Sequence, residues 1–96
     1  MIVRLISVAE EEFSKSAEYY ENQREGLGEE FVAEVLRAAG ILQDFPRIGT
    51  PIGTTFRAFA IRRFPYSLVY RIGADELIVV AVTHQSREPG YWKNRT

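Results

Sequence analysis

The sequence predicts an α+β fold: an N-terminal strand, an antiparallel helix hairpin, and a mainly antiparallel sheet that ends in a C-terminal three-stranded meander. Three observations carry this expectation. Residues 56–84 hold three β-rich runs separated by turn residues, Arg63 to Pro65 at the first junction and Gly73, Ala74 and Asp75 at the second; that is the punctuation of a meander. Before them, Ala9, Phe13, Ala17 and Tyr20, and then Phe31, Val35, Ala38 and Leu42, recur at helical spacing. The break between the two stripes, at Gly26 and Gly28, is short enough to force a hairpin. Ahead of both stands Ile2, Val3, Arg4, Leu5, Ile6, too short and too charged for a signal peptide's apolar region or a membrane span, so it reads as a first strand.

The first helix is expected to begin at Ser7, because Ser7, Val8, Ala9 and Glu10 match the capping box, in which the hydroxyl accepts from a first-turn amide and the carboxylate reaches back. Glu10, Glu11 and Glu12 lie at its positive end, where the helix dipole favours them. Glu11, Lys15, Glu18 and Glu21 fall outside the apolar stripe and read as a solvated face. In the second helix Val32 and Ala39 broaden the stripe. Gly40 there costs up to about 1 kcal/mol relative to alanine, so another backbone is expected to pass close. Pro46 stops this helix near Asp44, since the residue before proline is pushed out of the α region. Arg47 to Thr55, with Gly49, Pro51 and Gly53, reads as a loop.

Within the meander, the middle run places Phe64, Tyr66, Leu68, Tyr70 and Ile72 on one face, with Ser67 and Arg71 on the other. One face therefore meets a core and the other is partly wet. The third run differs: Leu77 to Val82 is apolar without a break. Such a run suits a central strand covered on both faces, so something must shield the face that the helices do not reach.

Composition narrows the function. Ninety-six residues fit one small domain, expected over 1–96. The chain has no cysteine and a single histidine, which excludes disulfides, iron–sulfur clusters, thiolate zinc and histidine-rich metal sites. A cofactor-free, metal-free cytoplasmic protein is the simplest reading. Net charge is −1, but residues 1–44 hold ten Asp and Glu against four Lys and Arg, whereas residues 45–96 hold eight Lys and Arg against three Asp and Glu. Either the basic half presents a surface to an anionic partner, nucleic acid or acidic protein, or the halves neutralise each other across the fold.

No glycine-rich phosphate loop, nucleophile elbow or paired-carboxylate motif is present. Candidate chemistry rests with Arg57, Arg62, Arg63, Arg71, His84, Arg87 and Tyr91. The tail adds Trp92, Lys93 and Arg95. Aromatic side chains interleaved with cations suit single-stranded nucleic acid; equally, Tyr91 and Trp92 suit folding back over the apolar strand.

A set of residues runs through the whole chain: Tyr19 and Tyr20 late in the first helix, Gly26, Leu27, Gly28 and Phe31 at the hairpin, Pro46 and Gly49 after the second helix. It continues with Arg57, Phe64, Pro65, Tyr66, Tyr70 and Arg71 in the meander and His84, Arg87, Pro89, Tyr91 and Trp92 at its end. In this order, on this succession of elements, the chain resembles the toxins of the RelE/ParE superfamily of bacterial toxin–antitoxin modules.

The resemblance implies a growth-inhibiting protein neutralised by a cognate antitoxin in a hetero-oligomer. An antitoxin segment with acidic and apolar residues, folding as it binds, is expected to cover the open face of Leu77 to Val82 and to meet the basic half. ParE-like members poison DNA gyrase by trapping its cleaved DNA, and the long hairpin and the tail from His84 to Trp92 look more like that group. On this branch Arg57, Arg62, Arg63, Arg71, Arg87, Trp92, Lys93 and Arg95 are docking residues for target or antitoxin. RelE-like members cut messenger RNA in the ribosomal A site. On that branch His84 takes the proton of a ribose 2′-OH, Arg62 and Arg87 hold the phosphate, and Tyr91 stacks on a base or donates a proton. The first meander strands carry only Arg57, Arg62 and Arg63, fewer cations than such nucleases usually have. A third reading is an inactive module that only binds an antitoxin.

Overall fold

The computed structural model describes residues 1–95, so Thr96, the last residue of the domain expected over 1–96, lies outside the described residues. The elements follow as β1 (Ile2–Leu5), α1 (Ser7–Gln23), α2 (Leu27–Asp44), β2 (Thr50–Ile52), β3 (Phe56–Ala60), β4 (Tyr66–Ile72) and β5 (Glu76–His84). One five-stranded sheet has the order β1-β5-β4-β3-β2. β1 runs parallel to β5 and every other pair is antiparallel. This is the α+β architecture expected from the sequence, with the meander formed by β3, β4 and β5.

The helical stripes do what their spacing requires. Phe31, Val35, Ala38 and Leu42 of α2 are buried together with Ala9 of α1, and Phe13, Ala17 and Tyr20 pack against them. They meet the inward side chains of the sheet, among them Phe64, Tyr66, Leu68 and Tyr70. Phe31 sits at the centre of an aromatic group, with ring centroids 5.0 Å from Tyr66, 5.2 Å from Phe64 and 5.3 Å from Tyr20. Tilted and edge-on contacts at these distances add about 0.5–1.5 kcal/mol per pair beyond simple area burial.

The unbroken apolar run of β5 has a structural cause that periodicity does not reveal. Val69 pairs with Ala81 and Tyr70 with Val79, so the register shifts and Val80 is left without a partner on β4. The bulge interrupts the alternation of faces. Leu77, Val79 and Val82 point into the helix-covered core, whereas Ile78, Val80 and Ala81 belong to a second cluster on the opposite face. Both faces are therefore apolar, as expected, but the cover on the second face comes from the chain itself. Trp92, 5% exposed, packs on that cluster with Tyr91 and Phe56. Leu77 to Val82 are all buried in the monomer, which corrects the expectation that a partner segment must shield them.

Four further expectations need correction. The capping box does not form: α1 starts at Ser7, but Ile6 holds the cap position and no side chain caps the helix. Ile6 still belongs to the sheet edge, its N–H donating to the Val79 carbonyl at 3.1 Å, so the chain turns from strand to helix with no residue to spare. Residues Arg47 to Thr55 are not all loop, because Thr50–Ile52 form β2 against β3; Pro51 is tolerated because β2 is an edge strand. Among the described residues no other backbone comes within 4 Å of a Cβ added at Gly40. The close approach is at Gly28, where a Cβ would lie 2.6 Å from the Ala17 carbonyl oxygen. Finally, Glu21 is more than a solvated charge: its carboxylate accepts from the N–H groups of Gly26 and Gly28, both at 3.0 Å, and so ties the hairpin connection together.

Candidate functional site

Beyond β5 the chain proceeds by short turns, with Arg87 N–H donating to His84 O, Lys93 N–H to Gly90 O and Arg95 N–H to Trp92 O. These turns return Tyr91, Trp92 and Arg95 to the sheet. There the carboxylate of Glu12, projecting from α1, accepts three hydrogen bonds. Arg95 Nη1 donates to Oε1 at 2.9 Å, the Val82 N–H to Oε1 at 3.0 Å, and the Tyr91 hydroxyl to Oε2 at 2.8 Å. Arg95 also donates to the Val80 carbonyl at 3.1 Å. β1 pairs with β5 only as far as Val79, so beyond it Glu12 and Arg95 serve backbone groups of β5 that a neighbouring strand would otherwise satisfy.

Two guanidinium groups lie against the Tyr91 ring. Arg87 lies over its ring with Cζ 3.8 Å from the centroid, and Arg95 at 4.9 Å. Burial chiefly, with the bond to Glu12 adding to it, holds the phenol above its usual pKa. A phenol that already donates to a carboxylate is poorly placed to release a proton to a leaving group.

His84 ends β5 opposite Tyr66, with the two rings edge-on at 5.1 Å. Its Nδ1 accepts from the Ser86 N–H at 2.9 Å and lies 2.8 Å from the Ser86 hydroxyl. With Nδ1 filled, only Nε2 is left to face a substrate. His84 and Arg87 line one groove of about 310 Å³ on the face opposite the helices, together with Ala58, Ser67, Val69, Trp92 and Lys93. Neither Arg62 nor Tyr91 lines that groove.

The basic residues are spread over the fold. Arg62 and Lys93 are exposed. Arg63, at a positive φ of 69°, pairs with Glu30 of α2. Arg57 Nη1 donates to the carbonyls of Arg47 and Gly49, both at 2.9 Å. Arg71 is half-buried on β4, close enough to Glu76 to help hold its carboxyl below the usual range, an effect led by the hydrogen bond and charge of Arg4. Glu30 is held low in the same way, chiefly by its hydrogen bond to Arg63. Pairs Arg63–Glu30, Arg95–Glu12 and Arg4–Glu76 each join the two halves of the chain. Arg63–Glu30 and Arg95–Glu12 thus partly neutralise the lopsided charge internally, and among the described residues a single open cationic platform does not form.

In the sequence Glu12 reads as one charge of an acidic first turn, yet in the fold it anchors the tail. A signal was available: it lies three residues after Ala9 and next to Phe13, on the margin of the buried stripe. A carboxylate there must find partners. What those partners are depends on residues 70 to 83 positions away.

The sequence model for the ParE toxin of type II toxin–antitoxin systems, parDE, matches residues 3–89. No curated protein matches the chain. Among solved structures, the chain is similar to one described as "Chromosomal ParDE TA system from P. aeruginosa", with a TM-score of 0.77 and 16% identity over 88% of this chain and 95% of that one. At that identity the likeness speaks for the fold. The expected resemblance, the shared architecture and a family match that leaves out only Met1, Ile2 and the last residues of the tail agree: the chain belongs to the ParE toxin family of type II toxin–antitoxin systems.

Proposed function

We propose that the chain arrests growth in the cytoplasm by binding and poisoning DNA gyrase, and that a cognate antitoxin neutralises it in a hetero-oligomer. Family membership implies the antitoxin. What favours a binding toxin over a nuclease is the engagement of the groups that RNA cleavage requires. The Tyr91 hydroxyl is spent on Glu12, His84 Nδ1 is filled by Ser86, and Arg62 lies outside the groove that His84 and Arg87 share. Arg62, Arg87 and Lys93 then act as docking charges toward target or antitoxin. Arg57, Arg63, Arg71, Trp92 and Arg95 contribute by shaping the surfaces around them.

The test is to express the chain with and without the product of the neighbouring open reading frame, and to assay purified protein in two reactions. The proposal expects growth arrest only without the antitoxin, accumulation of gyrase-cleaved DNA, and both effects intact in His84→Ala. Cleavage of messenger RNA on programmed ribosomes, abolished by His84→Ala, would overturn it. So would normal growth at full expression of the lone toxin, the outcome for an inert antitoxin-binding module.

A further inference from the structure

The turn after α2 and the β2–β3 turn enclose a cavity of about 350 Å³, away from the His84 groove. Arg47, Arg57, Thr54 and Thr55 line it together with Phe56 and Ile72. Among the described residues no Asp or Glu lines it, although the chain holds 13 of them. A concave site with two guanidinium groups, two hydroxyls and no carboxylate attracts anions.

The walls are set before any ligand arrives. Tyr70, fully buried, donates from its hydroxyl to the Pro46 carbonyl at 2.7 Å and accepts from the Gly49 N–H at 3.0 Å. Gly49 permits this approach, since a Cβ there would lie 2.5 Å from the phenol oxygen. On this braced turn the Arg47 and Gly49 carbonyls hold Arg57 by Nη1. Its Nε and Nη2 meet no acceptor among the described residues, and neither does the side chain of Arg47. A φ of +62° at Gly53 makes the tight bend that brings Thr54 and Thr55 to the rim. The turn and Arg57 need little further ordering on binding, whereas the exposed Arg47 side chain settles on the ligand.

The geometry points to a phosphate-ester site: the end or backbone of a nucleic-acid strand, or a free nucleotide, seats a phosphate between Arg47 and Arg57. Donors arriving from two guanidinium groups and two hydroxyls match the three or four oxygens of a tetrahedral phosphate better than the two coplanar oxygens of a carboxylate. The volume lies in the range of pockets that hold small ligands, roughly 300–1,000 Å³. What this cavity binds is independent of which target the toxin disables, gyrase included.

The experiment is a calorimetric and NMR titration of the whole chain with thymidine 5′-monophosphate, a 5′-phosphorylated single-stranded oligonucleotide, and sodium glutamate. The mononucleotide should bind saturably, with amide shifts concentrated at residues 47–57 and 72–73. Arg47→Gln, an exposed side chain whose removal leaves the braced turn intact, should weaken binding by about tenfold or more without changing the melting temperature, the loss expected for one charge-assisted hydrogen bond. Thr55→Val should weaken it by a smaller factor. Equal affinity for mononucleotide and oligonucleotide supports the site with a free nucleotide as its ligand; tighter, salt-dependent binding of the oligonucleotide supports it with a strand. Absence of saturable binding, shifts centred elsewhere, an Arg47→Gln chain that binds as well as the parent, or glutamate binding as tightly as the nucleotide would each overturn it.

Discussion

Glu12→Ala removes one carboxylate and strands three donors: the Val82 N–H, the Tyr91 hydroxyl and the Arg95 guanidinium. A part-buried amide and a part-buried phenol that lose their acceptor cost about 1 kcal/mol each. Arg95, with its side chain 20% exposed, lies between the exposed pairs worth under about 1 kcal/mol and the buried ones worth about 3–5 kcal/mol, and we assign it about 1 kcal/mol. The sum, about 3 kcal/mol, is a large fraction of the stability of a small domain and lowers its melting midpoint on the order of 15 °C. Glu12→Gln keeps the volume and one acceptor oxygen, and should cost less than half as much. Urea unfolding followed by far-UV circular dichroism measures the loss. The one tryptophan of the chain, Trp92, reports on the tail, because it is buried on the sheet only while the tail is docked. Acrylamide should quench it more readily in Glu12→Ala before global unfolding begins. A loss under about 1 kcal/mol, with Trp92 as shielded as in the parent, would show that the tail is held by apolar packing alone and that the carboxylate is incidental.

Two glycines of α2 should respond in opposite directions. Gly28→Ala drives a methyl group against the Ala17 carbonyl and the Glu21 side chain, 2.6 and 2.9 Å away, and should cost about 2 kcal/mol. Gly40→Ala points into open space and should gain up to about 1 kcal/mol; thermal unfolding of the pair decides, and shifts of the same sign would sink the account. Acid should weaken the fold through Glu30 and Glu76, whose carboxyls are held below their ordinary 4.5 chiefly by hydrogen bonds to Arg63 and Arg4. Because these pKa values are depressed in the folded state, the stabilisation is present above about pH 4.5 and is lost as pH falls through the folded values. The Glu30→Gln, Glu76→Gln double variant should therefore show a shallower decline of stability below pH 4.5; a decline as steep as the parent's would count against both pairs.

Local patterns carried much of the fold. The stripes Ala9–Phe13–Ala17–Tyr20 and Phe31–Val35–Ala38–Leu42, the stop before Pro46 and the two meander turns all depend on neighbours within about four residues, and all appear where expected. α1 begins at Ser7, as expected, but not through the expected cap. Ser7 begins the helix because Ile6 is held by Val79, a partner 73 positions away that the serine–glutamate spacing does not sense. Short elements were illegible for a related reason: Thr50–Ile52 has too few residues to display a period, and exists as a strand only because β3 lies beside it. The candidate cations were all visible as residues, but their tasks were not. Arg57 turned out to brace a turn, Arg63 to answer Glu30 and Arg95 to answer Glu12.

By itself, then, the sequence determined the kinds of element, their order, the apolar faces, and a likeness to a toxin family that the family match bears out. The tertiary structure alone decided the bulge at Val80, the sealing of β5 by the chain's own Trp92, and the pairing of carboxylates with guanidinium groups across the two halves. The division is physical: helical and strand periods arise from backbone geometry repeated over a few residues, whereas a bulge, a covering side chain and a buried ion pair arise between segments that only folding brings within a few ångströms.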